Sequence, residues 1–265
     1  MDLDHMLNDP NEKPLDRLVT DGGFCGIFRT IGCIGDSLSS GELESLDENG
    51  VMGWHDIYDI SWGQYIARMA GCKVYNFSAG GMSARWYLDS FAESRDMWNP
   101  DKACQAYIIA LGVNDFVSGA DTPVGSVDDI CREDYTQNKD TFVGNFAKIM
   151  QRYMEIQPGA RFFLVTVPSY GDNGGWEKNA TVHQQLMYDL AEYFDNTYVV
   201  DLKKYGPVYD GEFRKKFFVG GHMNTAGYLL SAKLISSYID YIVRHNLEDF
   251  SQIGFVGTPY KYVGE

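Results

Sequence analysis

Four stretches of the chain put reactive side chains just after short apolar runs: Gly35-Asp36-Ser37-Leu38, Asn76-Phe77-Ser78-Ala79-Gly80-Gly81, Gly112-Val113-Asn114-Asp115 and Gly220-Gly221-His222-Met223-Asn224. A serine becomes a nucleophile only beside a base, and histidine titrates in the useful range. The oxyanion formed when a carbonyl is attacked needs fixed donors, which a glycine N–H and the side-chain amide of Asn114 can supply. Hydroxyl, permissive backbone, amide and imidazole are the parts of an acyl-transfer site. Each also has an ordinary reading. Gly-Asp-Ser is a turn or helix cap, Gly80-Gly81 a turn needing positive φ, Asn114 a cap, and a histidine in a glycine-flanked loop an exposed side chain. Their joint arrival at consecutive strand ends is what favours chemistry.

The elements that must position them follow from periodicity. Short β-rich runs at 29–35, 73–78, 106–112, 161–167 and 197–202 alternate with amphipathic stretches at 60–70, 83–94, 141–156 and 181–195. A last helix is expected from Asn224, a good N-cap, to about His245, with Leu230, Leu234, Tyr238 and Ile242 along one face. Strands alternating with helices imply crossover connections and a parallel sheet covered on both sides. The runs 106–112 and 161–167 are continuously apolar, as central strands buried on both faces should be. The expected fold is α/β: a three-layer α/β/α sandwich, flavodoxin-like, with a central parallel sheet of about five strands. Ligands of such sheets gather outside the carboxyl ends of the strands, where the four stretches lie.

The order of these blocks resembles the SGNH hydrolases, the GDSL esterase and lipase superfamily: GDSL at 35–38, NFSAGG at 76–81, GVND at 112–115, and a C-terminal histidine followed by NTAGY. The resemblance spans roughly residues 28–245. It implies that Ser37 is the nucleophile and His222 the base. The oxyanion hole would consist of the Ser37 backbone N–H, the N–H of Gly81, which lies five residues after Asn76, and the side chain of Asn114. The family's last block is DxxH, and here Val219 stands three residues before His222. The third member of the triad is therefore open: a backbone carbonyl such as that of Val219, or the carboxylate of Asp210 or Glu212.

The activity implied is a serine-dependent carboxylic-ester hydrolase working through an acyl-enzyme. The acyl group is expected to be short, an O-acetyl ester of a carbohydrate or small molecule, since no apolar lid is evident and polar residues surround the site. The rivals are a non-catalytic ligand-binding protein on the same fold and a thioesterase or acyltransferase using the same serine.

Composition narrows the partners. With 22 Lys plus Arg against 37 Asp plus Glu, the formal net charge is -15, which disfavours nucleic acid and anionic membrane. No stretch reaches the roughly 20 apolar residues of a membrane span. The acidic start MDLDHMLNDPNEKPLDRL reads neither as a signal nor as a transit peptide. Cys25, Cys33, Cys72, Cys104 and Cys131 form no CxxC pair, so neither a disulfide framework nor a metal site is expected. A soluble protein of a reducing cytoplasm, with no cofactor and no metal, is the expectation; the oligomeric state is not readable. His5, His55, His183 and His245 share no ligand spacing, and His183 and His245 are expected on helix surfaces. Trp62 and Trp86 are expected to pack in the core, and Trp176, in the loop SYGDNGGWEKN, to line a pocket. One domain is expected over 1–265, with residues 1–28 and 246–265 as terminal extensions.

Overall fold

The computed structural model describes residue 7, residues 9–171 and residues 174–264. His5 and part of the expected N-terminal extension lie outside the described residues, as do Asp172 and Asn173 of the glycine-rich loop.

The strands are β1 (Thr30–Gly35), β2 (Glu42–Leu46), β3 (Met52–Asp56), β4 (Lys73–Ser78), β5 (Ala106–Ala110), β6 (Arg161–Val165), β7 (Thr197–Val200), β8 (Phe218–Val219) and β9 (His222–Met223). The five strands of the main sheet lie in the order β4-β1-β5-β6-β7, all parallel. The fold is α/β, with helices on both faces. Strand β1 is internal to the sheet, pairing with β4 on one side and β5 on the other. The chain therefore winds outward in both directions from β1, and the crevice at its carboxyl end is where an open sheet accepts a ligand. Ser37 follows that end directly.

Alternation along the strands feeds two cores. Ile34, Phe77 and Tyr107 pack on one face with Phe142, Phe146 and Met150 of α3 (Phe142–Ile156). Ile31, Cys33 and Ile108 pack on the other with Ile66 of α2 (Trp62–Ala70) and Ile235 and Ile239 of α6 (Thr225–His245). Local chemistry sets the helix starts: Ser61 caps α2, Thr141 caps α3, and Asn224 caps α6 by accepting from Gly227 N at 3.0 Å. The last helix is thus where periodicity expects it. The stretch 83–94 is helical but interrupted, with a π-turn at Tyr87–Phe91 between Ala84–Trp86 and Ala92–Ser94.

Several expectations change. The hairpin β2–β3 is a small separate antiparallel sheet that the hydrophobic pattern does not announce, because its side chains are largely polar or exposed. Helix α4 (Gly174–Tyr193) starts well before 181, so Trp176 lies on its first turn rather than in a loop. His183 is fully buried instead of lying on the helix surface. Trp62 is in the core, whereas Trp86 is 41% exposed.

The terminal segments lie against α6 and the sheet. Val19 N donates to Ser237 Oγ and Phe24 N to Asp240 Oδ1, both at 2.9 Å, and Phe250 and Ile253 are buried. No helix among the described residues is long and apolar enough to cross a membrane.

Candidate active site

Strand β1 leads into Asp36, whose carboxylate accepts from Leu38 N at 3.0 Å and starts the single turn α1 (Ser37–Ser40). Gly41, in the left-handed region at φ 82, ends that turn at once. Ser37 is therefore held at the N-terminus of a short helix, half-buried at the switch point of the sheet. Asp36 is buried, and burial pushes its carboxyl up to about 7 against the opposing hydrogen bond from Leu38.

The second and third blocks meet. Asn114 Nδ2 donates to the Met82 carbonyl at 3.1 Å, which sets this amide beside the turn carrying Gly81. Gly81 is exposed, at φ 72. Asp115 Oδ1 accepts from Ala84 N at 2.9 Å and ties the same two segments together. Burial raises the Asp115 carboxyl to about 6.

His222 is presented by the two-residue turn Gly220-Gly221 between β8 and β9, with Gly220 at φ 65. Its Nδ1 lies 2.6 Å from Glu44 Oε1, and the same oxygen accepts from Gly221 N at 2.9 Å. Its Nε2 lies 3.1 Å from Glu42 Oε1. The imidazole thus sits between two carboxylates of one strand. Residues two apart on a strand share a face, so Glu42 and Glu44 both point from the hairpin toward His222. A Cβ at Gly220 would collide with Glu44 Oε2, and one at Gly221 would come within 2.6 Å of Oε1. A side chain at either position would have to displace the carboxylate from this place.

None of the three candidates for the third member of the triad lies at the ring nitrogens of His222, where Glu44 and Glu42 are found instead. Asp210 is engaged at the N-terminus of α5 (Gly211–Phe217), accepting from Phe213 N at 2.9 Å. Glu212 pairs with Lys215 on the same helix. Val219 lies across the tight turn from His222 and is 53% exposed, and the partner of the ring nitrogen is Glu44 rather than the Val219 carbonyl. The physical reason is the hairpin, which delivers carboxylates to His222 from the far side. Sequence reasoning misses Glu44 and Glu42 because they follow the serine instead of flanking the histidine. The signal that could have found them is the alternation Glu42-Leu43-Glu44 directly after GDSLSSG.

The electrostatics of the two carboxylates differ. Burial would raise Glu44, but the Gly221 N–H and the His222 bond outweigh it and hold its carboxyl below the usual range. Glu42 is pushed above that range, chiefly by burial. Tyr228 Oη donates to the Glu42 carbonyl at 2.6 Å and reaches the Ser37 carbonyl at 3.4 Å, which joins the root of the hairpin to the Ser37 turn. Asp56, opposite Glu42 on β3, accepts from Ser40 Oγ and from Gly80 N. Blocks one, two and four are thereby tied through β2–β3. No hydrogen bond joins Ser37 Oγ to His222 among the described residues; Nε2 faces Glu42 Oε1.

Among the described residues no cluster of three histidine, cysteine or acidic side chains could hold a metal ion. His183 is a structural group: Nε2 pairs with the Leu111 carbonyl at 2.8 Å and Nδ1 accepts from Val167 N at 3.4 Å, bracing the ends of β5 and β6.

Residues 33–230 match the model of the GDSL-like lipase/acylhydrolase family. No curated protein sequence matches the chain. Among solved structures, the fold is similar to a family two carbohydrate esterase from Clostridium thermocellum in complex with cellohexaose, with a TM-score of 0.56 and 16% identity over 90% of this chain and 66% of that one. It is similar to a family two carbohydrate esterase from Corynascus thermopiles (Myceliophthora fergusii), with a TM-score of 0.54 and 16% identity over 81% of this chain and 66% of that one. A carbohydrate acetylesterase from Sinorhizobium meliloti aligns with a TM-score of 0.54 and 15% identity over 81% of this chain and 99% of that one.

Proposed function

The chain belongs to the GDSL-like lipase/acylhydrolase family and is a GDSL-type esterase, and on that premise we propose that it hydrolyses short acyl esters, O-acetyl groups of a carbohydrate foremost, through an acyl-enzyme on Ser37. His222 Nε2 takes the Ser37 Oγ proton as Oγ attacks the ester carbonyl. The oxyanion is held by the N–H groups of Ser37 and Gly81 and by the Asn114 amide. His222 then returns the proton to the leaving alcohol, and water repeats the sequence to release the acid. Glu44 keeps the proton on Nδ1, so that Nε2 is the basic nitrogen. Glu42, which faces Nε2 in this arrangement, turns aside as substrate brings Ser37 Oγ into line.

The observation that carries this reading is the 2.6 Å contact between Glu44 and His222. A protein that had lost its triad acid and kept only ligand binding would have no reason to hold a largely buried carboxylate on that nitrogen, nor two glycines that make room for it. The carbohydrate preference is supported by the carbohydrate esterases that share the fold.

The test is turnover of p-nitrophenyl esters from acetate to octanoate by wild type, Ser37→Ala and His222→Ala, followed by acetylated saccharides. Wild type is expected to be fastest on acetate, with both variants near background. A wild type no faster than Ser37→Ala on every ester would overturn it.

A further inference from the structure

Beyond β6 the chain runs through Pro168-Ser169-Tyr170, and each of these residues is pinned. Trp176 Nε1 donates to the Pro168 carbonyl at 2.9 Å. Ser169 Oγ and Tyr170 N both donate to Glu177 Oε1, at 2.9 and 2.6 Å, and Lys203 Nζ lies 3.4 Å from the other oxygen. Tyr209 N donates to the Ser169 carbonyl at 2.7 Å. What this scaffold fixes is an aromatic pair: the rings of Tyr170 and Trp176 stack with centroids 4.1 Å apart and planes 18° from parallel.

The pair forms one wall of an open cavity of about 460 Å³, whose other walls are Tyr209, Asp210, Gly211 and Arg214. That volume is in the range of small-molecule sites, roughly 300–1,000 Å³. Arg214 donates to the Gly220 carbonyl at 3.2 Å, so the cavity shares a wall with the turn that presents His222. Arg214 makes no ion pair among the described residues, although acidic residues exceed basic ones in the chain. The cavity is thus lined by an aromatic pair, by the Arg214 guanidinium, 5.5 Å from the Tyr170 ring centroid, and by Asp210. An apolar face with polar groups at its rim suits a pyranose, whose C–H face is apolar and whose hydroxyls ring the edge. A plain acyl chain would instead bring apolar surface against both charged groups.

We propose that the Tyr170–Trp176–Arg214 cavity is a carbohydrate subsite, seating a pyranose ring of the substrate beside the ester at Ser37. It rests on the esterase reading for what the bound sugar delivers, and it makes Trp176 and Arg214 specificity residues rather than catalytic ones.

The experiment is calorimetric titration of Ser37→Ala protein with cellohexaose, xylohexaose and mannohexaose. At least one is expected to bind, and Trp176→Ala or Arg214→Gln in the same background is expected to weaken binding about tenfold or more, while Trp176→Phe retains most of it. Melting temperatures identify any variant that fails to fold, in which case Arg214→Gln decides. No binding by any of the three saccharides, or binding indifferent to both substitutions in folded protein, overturns the subsite. Because binding is read without turnover, that result leaves the esterase reading to stand or fall on p-nitrophenyl acetate hydrolysis by wild type.

Discussion

His222 Nδ1 and Glu44 Oε1 lie 2.6 Å apart although 178 residues separate them in sequence. In the proposed mechanism, acid and nucleophile come from adjacent stretches after β1, while the base arrives from near the other end of the chain. The carboxylate on Nδ1 thus follows Ser37 by seven residues, where the resemblance places an acid three residues before the histidine.

If Glu44 sets the tautomer, Glu44→Gln should lower kcat by about 10²–10⁴, since swapping a triad Asp for Asn costs about 10⁴ in a serine protease. KM should change little. Glu44→Asp should recover part of the loss, which a purely structural role would not require. Gly220→Ala, whose Cβ would strike the Glu44 carboxylate, should produce a similar defect, and combining it with Glu44→Gln should add little. Steady-state kinetics of the single and double variants check this. Additive losses would separate the turn from the acid.

Glu42 has the opposite sign. Its carboxyl faces the nitrogen that must accept the serine proton, at 3.1 Å. Glu42→Gln removes the charge and keeps the shape, so kcat/KM for p-nitrophenyl acetate should rise a few-fold. A large fall instead would make Glu42 part of the catalytic machinery.

Asp36 predicts a pH-dependent stability. Its carboxyl is raised by burial from 3.8 to about 7, so the native state holds the proton more tightly than the unfolded chain does. This contribution is fully present below 3.8 and is lost as pH rises through about 7. Asp36→Asn does not titrate and can still cap Leu38. Relative to wild type it should gain stability from about pH 4 upward and level off above about pH 7, measured by denaturant unfolding across that range. A constant offset at every pH would refute the assignment.

Much of the architecture is legible because buried strands and amphipathic helices carry their period in the sequence. Ile31, Cys33, Ile34 and the row Leu234, Tyr238 and Ile242 can be placed from spacing alone, and all are buried. The hairpin β2–β3 escapes because the face that meets the site carries Glu42 and Glu44, while Leu46 and Trp54 on that same face are exposed. A polar strand that faces a site has no apolar alternation to betray it. For His183 the sequence does hold a signal against a surface position: Ala180, His183, Met187 and Leu190 repeat at three and four residues, and all four are buried. Trp86 shows the converse, since a helical position does not say which face carries it. The site histidine is legible, but the carboxylates at its ring cannot be found among residues near it in sequence, because the contact with Glu44 spans 178 positions.

The β2–β3 hairpin also fixes when the molecule can first work. During synthesis the serine turn and both of its glutamates leave the ribosome early, whereas β9 and helix α6 emerge late. Until those segments dock, the nascent chain holds Ser37 and the Glu42 and Glu44 carboxylates without His222 between the two acids. On the proposed mechanism, ester cleavage therefore begins only after the histidine turn has been made and folded back.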